Sequence, residues 1–368
     1  MPFRDLARLH AIERDESRAA IDAAIDSHDF GRPNALIAAF ESAYADFCGV
    51  RHVIATSSGS AALLLDYLAH GIGPGDEILT VPNTFVATAE AALMLGATVR
   101  LVDVDPRTHA IDQAQAVSML SGNTRAVVPL HPYGRLAQLD ALRQATRDRG
   151  IALIEEACHA HGATRGGTVA GALGDSAVFS FGPTKPLAGL GEGGAVTTDD
   201  DNLAERLRHW NNHGRDGGSH VTMGLNFRIH PLEAAYLTAR LRVLPRLLER
   251  RRVVAAAYTA AFEPYGVVHN PKVPDPAEHS YYVYVIDVPR REEFCRLLTQ
   301  AGVGWDVHYP VAIHRQPAHA ARFSASQLPC CDTLQERIVS LPMIDGLHDE
   351  EVEHVVKAVV DALDRVLS

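Results

Sequence analysis

The chain is poor in lysine. Of its 34 basic side chains only 3 are lysine (Lys185, Lys272 and Lys357), and the other 31 are arginine. Chemistry that needs a primary amine therefore has three candidates. Cysteine is scarce too: 5 residues, odd in number and scattered, suit reduced thiols rather than a disulfide frame. Cys330 and Cys331 are adjacent, which is not metal-ligand spacing and argues against zinc. No apolar run approaches the roughly 18–20 residues of a membrane span. Met1-Pro2-Phe3-Arg4-Asp5 leads into recurring acidic residues instead of the apolar core of a secretory signal. Positive charge is in deficit, with 45 acidic residues against 34 basic and a net charge of -11, whereas a nucleic-acid binder presents a basic face. The expectation is a cytoplasmic protein with neither nucleic-acid nor membrane partners.

What is present is ordinary in bulk. A length of 368 residues with 47% hydrophobic and 21% charged content suits a globular protein of one large and one small domain. Between about 49 and 196, β-rich runs at 52–55, 77–81, 98–102, 126–130, 152–155 and 177–181 alternate with helical patterns at 60–70, 88–95 and 139–149. That alternation predicts a mostly parallel sheet covered on both faces. A long helix follows over 231–258, then a strand at 279–288, a helix at 291–301, a strand at 304–309 and a last helix over 349–367. These later elements suit a smaller α+β domain, with the boundary near 250.

In parallel α/β sheets ligands sit beyond the carboxyl ends of the strands, so the residues just after each strand matter most. After the first strand, Ser57-Ser58-Gly59-Ser60 feeds a helix start. Such a turn offers backbone N–H groups, hydroxyls and the positive helix end to a phosphate, although Ser-rich helix caps are also common for their own sake. After the second strand stands Phe85, able to stack on a flat ring or simply to pack. After the fifth, Glu155-Glu156 precedes His159 and His161. Neighbouring strand side chains face opposite ways, so only one of the two carboxylates can enter a site. Glu156, His159 and His161 match no standard metal spacing, and no metal is expected. After the sixth, Ser180 precedes Lys185, which ends a buried β-run before a glycine-dense turn. Partial desolvation there is expected to lower the lysine's pKa and make it nucleophilic. Lys272 lies in a Pro-rich stretch and Lys357 on the final helix among Glu353, His354 and Asp361. One cofactor uses all these pieces. Pyridoxal 5'-phosphate needs a lysine for its aldehyde, an acid for its ring nitrogen, a flat group on its face and a cradle for its phosphate. The candidates are Lys185, Glu156, Phe85, and Ser58-Gly59-Ser60 with Ser180.

At this point the chain resembles the DegT/DnrJ/EryC1/StrS family of sugar aminotransferases. The resemblance is carried by Ser57-Ser58-Gly59-Ser60-Ala61-Ala62-Leu63, Gly73-Pro74-Gly75-Asp76-Glu77, Thr84-Phe85-Val86-Ala87-Thr88, Val102-Asp103-Val104-Asp105 and the run from Glu155 to Ala163. Further matches are Ser180-Phe181 before Lys185, Gly191-Glu192-Gly193-Gly194-Ala195, Gly224-Leu225-Asn226-Phe227-Arg228, His308-Tyr309-Pro310, Ile313-His314-Arg315-Gln316-Pro317 and Ser340-Leu341-Pro342. It implies the fold-type-I α/β architecture, with a large pyridoxal-phosphate-binding domain (1–250) built on a mostly parallel seven-stranded sheet between helices, and a smaller α+β domain (251–368). It implies an aminotransferase that moves an amino group from glutamate or glutamine to the keto group of a nucleotide-activated sugar. The same chemistry on a carbocycle is the alternative, and a regulatory role without turnover a more distant one.

Residue by residue, the resemblance makes Lys185 the lysine that bonds the cofactor and shuttles the proton, with Glu156 against the pyridine nitrogen. It puts His159 near the cofactor's phenolic oxygen, Phe85 on the ring, and Gly59, Ser60 and Ser180 on the phosphate. Asn226 is expected to reach the phosphate site of the other subunit, making a homodimer with shared sites. Substrate contacts are expected around His308-Tyr309, His314 and Gly214-Arg215-Asp216-Gly217-Gly218. The family usually carries Asp where Glu156 stands and Thr where Ser60 stands; both replacements keep the functional group.

Overall fold

In a computed structural model the described residues are 1–31, 33–267 and 278–368. Lys272 lies outside them. Seven strands make the main sheet: β1 His52–Thr56, β2 Glu77–Thr80, β3 Thr98–Leu101, β4 Thr124–Val128, β5 Ala152–Glu156, β6 Ser176–Ser180 and β7 Gly194–Thr198, in the order β1-β7-β6-β5-β4-β2-β3. β2, β3, β4, β5 and β6 pair in parallel, while β7 runs antiparallel to both β1 and β6. Runs such as Ala126-Val127-Val128 and Ala177-Val178-Phe179 are fully buried, as parallel strands covered on both faces require. β7 is not among the strands expected from the sequence, because its Gly194-Ala195 start follows Gly191-Glu192-Gly193 and reads as the continuation of a turn.

The helices, in chain order, are α1 Leu6–Ala11, α2 Arg14–Asp26, α3 Ala35–Cys48, α4 Gly59–Ala69, α5 Ala87–Met94, α6 Gln113–Met119, α7 Asp140–Arg147, α8 Asp201–Asn211, α9 Pro231–Phe262, α10 Arg291–Gln300, α11 Pro329–Arg337 and α12 Asp349–Leu367. Among the described residues no helix is long and apolar enough to cross a membrane. The 32-residue α9 joins two cores. Leu237, Leu241, Leu244 and Leu248 pack with Phe40, Tyr44 and Phe179 on one face of the sheet. Val254, Tyr258 and Phe262 belong to a separate cluster with Phe294, Val339, Val355 and Leu363. Residue 250 falls inside this helix, between the two sets.

The second cluster is built on an antiparallel pair, β8 Tyr284–Asp287 and β9 Ile338–Leu341. The strand expected over 279–288 is thus shorter. The one expected over 304–309 does not form: a single bridge joins Asp306 to Ser340, after which the chain leaves the sheet and carries His308 and Tyr309 away from it. A buried ion pair ties α9 to this region. Arg251 Nε donates to Asp345 Oδ1 at 2.6 Å and Nη1 donates to the carbonyls of Tyr281 and Tyr282. The backbone around Tyr282 is therefore held from α9.

Candidate active site

The carboxyl ends of β1, β2, β5 and β6 open on one cavity of about 610 Å³. It is lined by Ser58, Gly59, Ser60, Phe85, Glu156, His159, Ser180 and Lys185, together with Tyr282, His308, Tyr309 and Arg4.

The turn after β1 is shaped by contact with its neighbours. Ser58 is the N-cap of α4, and its Oγ accepts the N–H of Ala61 at 3.1 Å. The first-turn N–H groups of a helix have no intrahelical acceptor, and here they stand at the positive end of α4 beside the Ser60 and Ser180 hydroxyls. A Cβ on Gly59 would fall 2.8 Å from Ser180 Cβ, and one on Gly194 would fall 2.4 Å from the carbonyl oxygen of Ser58. Only glycine at both positions lets this turn lie against the end of β6 and the start of β7. His161 fixes the opposite side of Ser180. Its Nε2 lies 3.0 Å from the Ser180 carbonyl, which can only accept, so Nε2 carries the proton and Nδ1 accepts from the Tyr44 hydroxyl at 2.8 Å. Burial pushes this imidazole down to about 3. His161 thus spends both nitrogens on protein partners. Among the described residues no group of three His, Cys, Asp or Glu side chains could hold a metal ion.

The two glutamates at the end of β5 separate as strand alternation requires. Glu155 is buried and accepts from His131 Nε2 at 2.8 Å and from the backbone N–H groups of Leu173, Gly174 and Gly171 at 2.7, 2.8 and 3.1 Å. It anchors the 171–174 loop. Glu156 faces the cavity. Burial raises its pKa above the usual carboxylate range, partly offset by the Cys158 thiol and the charge of Lys185.

Lys185 follows β6 in a tight turn, its N–H donating to Gly182 O at 2.9 Å. Its Nζ lies 4.9 Å over the ring of Tyr282. Desolvation at the end of a buried strand is expected to lower this amine's pKa, and the structure corrects that expectation. Burial does lower it, but Tyr282, Cys158 and Glu156 together outweigh burial, and the net direction is upward. The amine is thus an ammonium at neutral pH.

His159 is buried and stacks on Tyr282 with centroids 4.4 Å apart at 24°. Its Nε2 lies 2.9 Å from the Tyr309 hydroxyl. Its Nδ1 is buried without a hydrogen-bond partner among the described residues. Burial, then the charges of Lys185 and His308, push this imidazole well down, so it is neutral. The Tyr309 hydroxyl can donate to Nε2 or accept from it, so Nδ1 is left with either a proton or a lone pair to offer a ligand. Phe85 lines the cavity at 54% exposure, its ring 5.9 Å from that of Tyr309. A large apolar ring left this open has a face free for a flat partner.

Asn226 does not line this cavity. It is exposed, in a bridge to Asn212. His314 is buried and bonded to Asp332 Oδ1 at 2.8 Å, away from the cavity. Residues 214–218 lie at an exposed hairpin in which Arg215 pairs with His220. Tyr282 and Arg4 line the cavity without having been singled out from the sequence. No local pattern marks either; tertiary packing brings them in.

An amine, a buried carboxylate, a helix-start cradle, an open aromatic face and an orphaned imidazole nitrogen are the set that pyridoxal phosphate requires. On this mostly parallel sheet they define an aminotransferase that uses pyridoxal phosphate. Comparison with known proteins agrees: the model of the DegT/DnrJ/EryC1/StrS aminotransferase family matches residues 11–360. The chain belongs to that family. It is 34% identical over 365 residues, 98% of each chain, to a pleiotropic regulatory protein of Geobacillus stearothermophilus. It is 34% identical over 368 residues, 100% of this chain and 97% of the relative, to the dTDP-3-amino-3,4,6-trideoxy-alpha-D-glucose transaminase of Streptomyces venezuelae. Among solved structures it superposes on S. venezuelae DesV in complex with a ketimine intermediate, with a TM-score of 0.94 at 34% identity and 99% of both chains covered.

Proposed function

We propose that this chain transfers an amino group from glutamate or glutamine to the keto group of a nucleotide-activated sugar. The observation that carries the reading is the meeting of Lys185, Glu156 and the Ser58–Gly59–Ser60 turn in one cavity, on a chain similar end to end to a dTDP-sugar transaminase. When bound, pyridoxal phosphate supplies an electron sink for a carbanion at the substrate carbon. The residues of the chain do the rest. Gly59, Ser60 and Ser180 would hold the phosphate. Glu156, as an anion, would keep the ring nitrogen protonated. His159 would offer Nδ1 to the phenolic oxygen, and Phe85 would cover the ring face. Lys185 would hold the cofactor between turnovers and move the proton to and from the substrate carbon.

We further read residues 1–250 as the cofactor-binding domain and 251–368 as a smaller domain. The separate apolar cluster from Val254 to Val366 supports the division. Asn226 and the exposed 215–220 hairpin are proposed to complete the cavity of a second copy, and the reaction is proposed to be cytoplasmic. The test is turnover. The holoenzyme given L-glutamate should release 2-oxoglutarate in one equivalent per site, and then aminate a dTDP-3-keto sugar. A Lys185→Ala variant that turned over many equivalents of donor would overturn the assignment. A regulatory role without turnover, which the name of the Geobacillus relative raises, predicts no 2-oxoglutarate from the wild type.

A further inference from the structure

We propose that Arg4, on the segment leading into α1, binds the carboxylate of the amino-acid donor beside Lys185; the inference rests on the aminotransferase reading of the cavity. Among the described residues four side chains of formal charge line that cavity: Arg4, Glu156, Lys185 and Glu192. Once Lys185 is bonded to the cofactor, Arg4 is the one cation that the chain contributes to its own cavity among the described lining residues. An amino-acid donor brings a carboxylate on the very carbon that bears its reacting amine, about 2.5 Å from the nitrogen by standard bond lengths. That anion must enter the cavity with the amine, and leaving it desolvated and unpaired is costly. The diphosphate of a nucleotide sugar lies further from its keto carbon and has no such need for a cation at the reacting centre.

The position of Arg4 is built. The segment is pinned on both sides: Gly304 N–H donates to Met1 O at 2.8 Å, and Asp5 caps α1 by accepting from Arg8 N at 2.9 Å. Arg4 Nη2 donates to His308 Nε2 at 3.1 Å. That nitrogen must then be the acceptor, so His308 carries its proton on Nδ1 and donates it to Ser340 Oγ at 2.9 Å. Ser340 in turn exchanges backbone hydrogen bonds with Asp306, whose Oδ2 lies 3.4 Å from Arg4 Nη2. Both polar partners meet Nη2 alone and the Phe3 ring lies 5.4 Å from Cζ, which leaves Nη1 and Nε without a polar partner among the described residues. With its side chain 42% exposed, Arg4 presents a planar fork of the kind that holds carboxylates bidentately. Its field reaches the reacting centre, since it contributes to holding His159 and His308 neutral.

The test compares two reactions of the same bound cofactor: the half-reaction with L-glutamate, and capture by methoxyamine, a small amine reagent with no carboxylate. In Arg4→Met the glutamate concentration for half-maximal rate should rise roughly 10- to 100-fold, the loss of a charge-assisted hydrogen-bond pair. Methoxyamine capture should stay within about twofold, since no charged contact is lost there. Arg4→Lys, which keeps the charge and loses the fork, should fall between. An unchanged glutamate response would overturn the proposal, as would equal slowing of glutamate and methoxyamine, which would make Arg4 a general support of the cavity. If instead the wild type captured methoxyamine but reacted with no amino acid, the aminotransferase reading itself would fall, and the proposal with it.

Discussion

Replacing Gly59 by alanine probes the cradle directly. The added methyl carbon would stand 2.8 Å from Ser180 Cβ, 3.2 Å from its Oγ and 3.4 Å from its Cα. Carbon atoms rest about 3.5–4.0 Å apart, so the turn and β6 must separate by close to an ångström. Neither side yields easily. Ser180 is tied through its carbonyl to His161 at 3.0 Å, and the turn abuts the start of β7, where Gly194 already leaves no room for a Cβ. Overpacking of this kind costs about 1–3 kcal/mol. Because the displaced atoms are those facing the phosphate, cofactor affinity should fall as well, by about tenfold for each 1.4 kcal/mol of strain carried into the bound state. The assay is a double-mutant cycle. Urea unfolding and pyridoxal phosphate titration are run on wild type, Gly59→Ala, Ser180→Gly and the double variant. Removing the Ser180 side chain deletes two of the three close atoms, so the double variant should recover about 1–2 kcal/mol relative to additivity. Strictly additive effects would show that the two positions do not touch, and would refute this construction of the cradle.

Glu156→Gln keeps shape and removes charge. Because burial already penalises the Glu156 anion, the variant should fold at least as stably as wild type and still bind pyridoxal phosphate. Its kcat should fall roughly 10²- to 10³-fold, the scale for losing one electrostatic partner of the reacting group, and a kcat near wild type would remove Glu156 from the mechanism. Lys185 has a raised pKa and is an ammonium at neutral pH. Only the free amine attacks an aldehyde, so stopped-flow loading of apoenzyme with pyridoxal phosphate should accelerate about tenfold per pH unit below that pKa; a rate independent of pH between 6 and 9 would contradict the direction of the shift. Glu41 is pushed up to about 7 by burial, partly offset by the Ala55 N–H it accepts at 2.8 Å. The folded state then holds a proton that the unfolded state has lost between the ordinary carboxylate value and about 7, so stability contributed by this group falls as pH rises through that window. Glu41→Gln should therefore raise Tm at pH 8 but not at pH 4, and an equal gain at both would show that the effect is not protonation.

The strands that were legible are the ones whose burial on both faces writes itself as an uninterrupted apolar run, as in Ala126-Val127-Val128. β7 escaped because antiparallel return to β1 and β6 needs no crossover helix to announce it, and because Gly194 suits close approach to Ser58 rather than strand propensity. The 304–309 run has strand-like composition, but one bridge to Ser340 is all that tertiary geometry allows. For the site, Ser60, Glu156, Ser180 and Lys185 were readable because sheet topology converts a position after a strand into a position at the cavity. Tyr282 and Arg4 carry no such address. They arrive through the Arg251 contacts and the pinned N-terminal segment, each a long-range arrangement. The upward shift of Lys185 was missed for a related reason: burial could be inferred from the strand, but the ring of Tyr282 under the amine could not.

Lys185 is the amine on which the cofactor assignment depends. Borohydride reduction of the pyridoxal phosphate holoenzyme, followed by proteolysis and mass spectrometry, makes the bond between cofactor and lysine permanent and reveals its place. The account predicts label on Lys185 alone, with Lys357, exposed on α12, and Lys272 unmodified. Stoichiometric label on either of those two, or a reduced protein that releases all its cofactor, would contradict it.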